Sequence, residues 1–374
     1  MSEVARHQLL VTLVHGTWPR GFFPTLRRRN RSPLWFEESS PFLARLSAEF
    51  GDIPHRIKPL PWSGENSIFV RDKAAHVLAE CLSAEHTEHP KATQLIIAHS
   101  HGGNIALRAL HLLQQRDSSQ LCGGDSAIPL VVTLATPFIE VHQADFGDRP
   151  SRVRVAISVS IALLLWLSVS VISDDDMFSS RMLIFTAVEF LLYGFLCWYW
   201  IFRRAAATAR QNKVEALTDA TRFGQIVSAQ AQRLLVIRAI DDEASLALAL
   251  GTIFHYVATR TIKYLFAVLP ILLSLLTFML GLLREPQFFI AAQVVAYALI
   301  MLLGALTVSR SVHGRELAVS PMECQINTQS VPDATDLSQI VTLISHSYVK
   351  SLRHGIYEHE SCARAISDWI RSQL

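Results

Sequence analysis

Four stretches of this chain, residues 153–172, 182–202, 264–283 and 287–308, are long and apolar enough to cross a bilayer. That crossing takes about 20 mainly apolar residues, whereas buried helices of soluble proteins need runs of only about 10 to 14. Ser173, Asp174, Asp175 and Asp176 part the first two, and Arg284, Glu285 and Pro286 part the last two, so each pair reads as a helical hairpin. Composition agrees: 50% of the chain is hydrophobic and 18% charged, against about 25% charged in soluble domains. Glu189 is the one ionisable side chain deep in a predicted span, and it is expected to bond Ser160 or Ser168 of the neighbouring helix or to be protonated.

Basic residues orient the hairpins. Arg149, Arg152 and Arg154 precede the first segment, and Arg203, Arg204, Arg210 and Lys213 follow the second. Arg260 and Lys263 precede the third, Arg310 and Arg315 follow the fourth, and the two short turns hold only Arg181 and Arg284. The positive-inside rule then places both termini, and everything between the hairpins, on the cytoplasmic side of a multi-pass membrane protein. A formal net charge of +2 leaves no global footprint of a nucleic-acid partner. The five cysteines (Cys81, Cys122, Cys197, Cys324, Cys362) are scattered, with no CxxC and no metal spacing, which suits a reducing compartment. The apolar run at 9–14 is too short for a signal peptide.

With the hairpins set aside, strand and helix patterns alternate, which implies an α/β domain with a mostly parallel sheet covered by helices on both faces. Strands are expected at 9–14, 57–60, 95–98, 130–134 and 234–240, and helices at 68–82, 103–115, 222–232 and 362–373. The domain is interrupted twice. Residues 1–150 form its first part, 151–205 the first hairpin, 206–262 its continuation, 263–309 the second hairpin and 310–374 its end. Its most telling segment is LIIAHSHGGNIALRAL, residues 95–110. An apolar β-branched run breaks at the small Ala98, then His99, Ser100, His101, Gly102 and Gly103 lead into a helical pattern. A strand, a tight turn carrying serine and a helix raise the hydroxyl above the sheet, with amide N–H groups and the helix N-terminus facing any developing oxyanion.

These residues resemble the nucleophile elbow of the α/β-hydrolase superfamily, nearest its lipase and esterase branches, with Ala98 in place of the usual first glycine. VTLVHGTW (11–18) is similar to the strand and HG turn that supply one oxyanion donor, and VTLATPF (132–138) to the strand and TP turn after the elbow helix. VIRAIDDEAS (236–245) stands where the acid-bearing strand is expected, and LRHGIYEHESCARAISDWI (352–370) resembles the histidine segment and last helix. The likeness covers most residues outside the apolar segments and none within them. It implies a serine hydrolase with Ser100 as nucleophile, Asp242 as acid (Asp241 the alternative) and His354 as base (His346 the alternative). The expected oxyanion donors are the backbone N–H groups of Thr17 and His101, with His15 fixing the HG turn.

The chemistry needs those types: a serine hydroxyl requires an imidazole to take its proton, and a carboxylate to hold that imidazole. No cofactor is expected. His99 and His101 flank Ser100 without a ligand cluster elsewhere, so no metal is expected either. Both hairpins leave the domain on the predicted catalytic edge. The expected partners are therefore the bilayer and a lipid or other hydrophobic ester, with Arg27, Arg28, Arg29 and Arg31 available to anionic head groups. An acyltransferase using the same triad, or a catalytically silent membrane scaffold or sensor on this fold, are the alternatives.

Overall fold

The computed structural model describes residues 8–19, 33–117, 128–143, 207–223, 232–239, 253, 313–319, 324–331, 339–343 and 355–374. Among them, six strands form one sheet: β1 (Leu9–Val14), β2 (His55–Pro59), β3 (Thr93–His99), β4 (Leu130–Leu134), β6 (Leu234–Ala239) and β8 (Gln339–Leu343). Their order is β2-β1-β3-β4-β6-β8, and every pairing is parallel. A parallel sheet is covered on both faces, so its central strands are near-continuous apolar runs rather than alternating ones. Every residue of β1 and β4 is buried accordingly.

Each face carries its own helices. On one lie α1 (Pro41–Phe50) and the C-terminal α6 (Glu360–Gln373), packing Phe42, Leu46, Phe50, Ile366, Trp369 and Ile370 onto Leu9, Leu13, Leu95, Ile97 and Val132. On the other, α2 (Ile68–Glu88) and α3 (Gly102–Asp117) pack Ala75, Leu78, Ala79, Ile105 and Ala109 onto Ile96, Ala98, Val131 and Val236. Helix α1 starts where Ser40 Oγ accepts from Leu43 N at 3.2 Å with proline next in the chain, a favoured N-terminal arrangement. The expected alternation and two-sided cover are thus present.

Besides α1 and β8, which the sequence pattern did not predict, three features depart from the expectation. Helix α4 (Ala207–Ala220) lies upstream of the predicted 222–232 helix, and Arg222 and Phe223 are not helical. The helix ends at Ala220, just before Thr221, whose hydroxyl donates to Leu217 O (2.9 Å) and accepts from Val141 N (3.0 Å). The carbonyl of Arg222 turns instead to the Arg108 guanidinium at 3.3 Å. Second, β5 (Phe138–Gln143) and β7 (Cys324–Gln329) form an antiparallel pair, with Phe138 opposite Gln329 and Gln143 opposite Cys324. Third, this pair, α4 and the short α5 (Arg315–Val319) enclose a satellite core of Ile139, Val141, Val214, Leu217, Leu317 and Ile326.

The four predicted membrane segments lie outside the described residues. Among the described residues, no helix is long and apolar enough to cross a membrane.

Candidate active site

The strand order itself marks one crevice. From β1 the chain goes to β2 on one side, then returns past β1 to β3 on the other. Loops leaving the carboxyl ends of β1 and β3 therefore diverge, and open α/β sheets bind ligands in the gap between such loops. His15, Gly16 and Thr17 leave β1 on that edge, and Ser100 leaves β3.

Ser100 has φ +54° and is 8% exposed. A non-glycine residue in the left-handed region costs on the order of 1–3 kcal/mol and persists only where its surroundings impose it. They do so here. Ser100 N donates to Leu134 O at 2.8 Å, and its own carbonyl accepts from Gly103 N at 3.0 Å, closing a one-turn corner between β3 and α3. A Cβ at Gly102 would overlap the carbonyl oxygen of Val14, and one at Gly103 would overlap the Thr136 side chain. A Cβ at Gly16 would stand 2.6 Å from Ser100 Cβ. The HG turn and the serine are thus in direct apposition, and these glycines make the corner possible.

Among the described non-glycine residues, Trp18 (φ +48°) and Ala135 (φ +45°) are the others with positive φ. They follow β1 and β4, so among the described residues the non-glycine backbone strain of this kind sits on the carboxyl edge of three adjacent strands.

The turn after β1 is braced by rings. His15 stacks between Phe36 and Trp62, with centroids at 4.5 and 5.0 Å. Its Nδ1 bonds the Gly16 carbonyl at 2.8 Å, so Nδ1 carries the proton, and Trp62 Nε1 donates to His15 O at 3.1 Å. Burial lowers the His15 pKa from its ordinary value, against the smaller raising effect of its backbone hydrogen bonds to Gly16 and Trp62. A second aromatic group joins the serine to the C-terminal segment. Tyr357 stacks on Trp35 at 5.6 Å and meets His99 edge-on at 5.0 Å. Burial, then the nearby Glu358 charge, pushes the Tyr357 hydroxyl up to about 12.

The structure places Ser100, Thr17 and His101 together on this edge. Asp242, Asp241, His354 and His346 lie outside the described residues. Their supports do not: β6 ends at Ala239 and β8 at Leu343 on the same edge as Ser100, and the one-turn 3₁₀ helix Ile356–Glu358 follows His354 by two residues. Sequence reasoning did not single out Gly16, Trp35, Tyr357 or Asn104. The first is legible only as half of an HG pair, and Asn104 only as a polar residue on an apolar helix face. Buried Cys362, with its thiol pushed up to about 12 by burial, does not supply a thiolate nucleophile. Among the described residues, no group of three or more His, Cys, Asp or Glu is placed to hold a metal ion.

No family model, no curated protein and no solved structure matches this chain.

Proposed function

We propose that this chain is a serine hydrolase of α/β-hydrolase type, held in a membrane by two helical hairpins, that cleaves carboxylic esters of lipid or membrane-partitioned molecules. The observation that carries the reading is Ser100 itself. Its left-handed backbone stands at a strand–turn–helix corner, at the sheet's switch point, against Gly16 of the preceding HG turn. Strain of this kind on a serine, where a glycine would relieve it, is the signature of a nucleophile elbow.

In this reading Ser100 Oγ adds to the ester carbonyl carbon while the His354 imidazole takes its proton. Asp242 holds that imidazole in the required tautomer and stabilises its cation. The oxyanion is held by the N–H groups of Thr17 and His101, at the positive end of α3. Collapse expels the alcohol, which takes the proton from His354 and leaves the acyl group on Ser100. Water then adds by the same route and releases the acid and free Ser100. The strand order supports these roles, because the segments after β3, β6 and β8 supply serine, acid and base in the chain order of that fold. The Trp35–Tyr357–His99 contacts favour His354 over His346. They tie the turn two residues beyond His354 to the residue before Ser100.

Membrane attachment supports the substrate class. Strand β5 leads toward the first apolar pair and α4 follows it, while α5 and β7 follow the second, and these four elements share the satellite core. Both hairpins would thus root beside the carboxyl edge. The test is turnover of short- and long-chain esters by the full chain in liposomes and in detergent. Long-chain esters in bilayers should be preferred, and Ser100→Ala should lose on the order of 10⁴-fold or more. Equal rates for both esters with no gain from the bilayer would contradict the lipid assignment.

A further inference from the structure

Asn104 lies in the first turn of α3, 8% exposed, and its side-chain amide meets three groups. Its Nδ2 donates to Pro137 O at 2.8 Å, its Oδ1 accepts from Ile139 N at 3.1 Å, and its Nδ2 also faces Nδ1 of His101 at 3.4 Å. The two backbone partners fix which end of the amide is which. A carbonyl takes only a donor and an N–H only an acceptor, so the NH₂ group must point toward Pro137 and His101. The ring nitrogen facing that NH₂ has to be an acceptor. His101 Nδ1 is therefore unprotonated, and the ring carries its proton on Nε2. A proton on Nδ1 would set two donors against each other.

We infer that Asn104 is a positioning residue: it locks the His101 ring as the Nε2–H tautomer and ties the first turn of α3, just after Ser100, to the β4–β5 turn. This inference rests on the hydrolase reading for its effect on rate, but not for its tautomer. His101 supplies one of the two oxyanion N–H groups in that reading. Its peptide follows Ser100 directly, at a corner where φ is already +54°. Asn104 ties that corner to Pro137 and Ile139, and so to β5, the strand leading toward the first apolar pair. A misplacement of about 1 Å in such a group costs up to about a hundredfold in rate.

Asn104→Asp is the informative substitution. It has the same shape and still accepts from Ile139 N, but it cannot donate to Pro137 O or His101 Nδ1. A carboxylate there draws a proton onto His101 Nδ1. In the full chain in nanodiscs, with ¹⁵N-labelled histidine and His101 assigned by His101→Gln, wild-type Nδ1 should resonate as an unprotonated nitrogen. In N104D it should be protonated. The same variant should lose about tenfold to a hundredfold in kcat on a chromogenic ester with KM unchanged. A wild-type His101 protonated on Nδ1 would overturn the inference, as would an N104D variant with wild-type kcat. If N104D does not fold, the wild-type spectrum alone decides the tautomer. A wild-type chain showing the Nε2–H tautomer yet reacting with no ester or phosphonate would keep the Asn104 assignment and remove the hydrolase reading.

Discussion

The parallel sheet and the small β5/β7 pair are both β-structure, but they form under opposite constraints. The centre of the sheet is sealed on both faces, its strands there are buried and mainly apolar, and strained residues cluster on one edge. The β5/β7 pair joins segments far apart in the chain, and its core is limited mainly to two helices, one of them a single turn, and two strands. Rigidity and strain belong together here. A left-handed Ser100 needs neighbours that cannot relax, and β1, β4 and α3 provide them. The satellite needs no such precision, since none of the described non-glycine residues with positive φ lies in it. It touches the elbow through Asn104.

The largest effect should come from closing the space the corner requires. Gly102→Val would drive side-chain carbon into the Val14 and His15 carbonyls, which are backbone and cannot yield. We expect a loss above about 4 kcal/mol and no cooperative unfolding transition in circular dichroism. Truncation should then rank the two cores. Ile97→Ala, in the fully buried centre of β3, should cost about 4 kcal/mol, and Ile326→Ala in the satellite about 2 kcal/mol. Urea melts of the two variants measure this, and equal losses would mean that the two cores are equally tight.

A smaller effect is expected where α2, α3 and α4 meet. Arg108, 4% exposed, pairs with Asp72 and with Asp219, each at 2.8 Å. Asp219→Asn should cost under about 1 kcal/mol, because its carboxylate is largely solvated and Asp72 still neutralises the arginine. Asp72→Asn should cost more in the same denaturation assay.

The smallest effect is a pH dependence. His15 has a folded-state pKa below its ordinary 6.5 because of burial. Above that pH both folded and unfolded chains hold it neutral. As pH falls below 6.5, the unfolded chain takes up a proton that the buried ring refuses, so stability declines with acid. The slope from this one group cannot exceed about 1.4 kcal/mol per pH unit. His15→Phe, which keeps an aromatic ring in the stack, should flatten the decline. The like-signed contribution of His111, also lowered chiefly by burial, should remain.

The same contrast explains what could be read from the sequence. β1, β3, β4 and β6 were legible because sealed parallel strands are short apolar runs bounded by turn residues, and the Gly102–Gly103 pair announced a tight corner. The β5/β7 pair was not. Its strands, FIEVHQ and CQINTQ, are half polar and find each other only across long intervening chain, which no local pattern encodes. Helix α4 was displaced for a related reason. Its sequence, ATARQNKVEALTDA, has weak amphipathicity, while the apolar residues near 222–232 suggested a helix that Arg222 and Phe223 do not adopt. Asn104 was hidden because its partners, Pro137 and Ile139, are backbone groups brought in by a turn.

The proposed hydrolase requires Ser100 to be an activated nucleophile, and a fluorophosphonate probe reports that reactivity. The full-length chain in native membranes should form one covalent adduct, located by peptide mass spectrometry on Ser100, and Ser100→Ala should form none. An adduct on another residue, or labelling that survives in Ser100→Ala, would contradict the account.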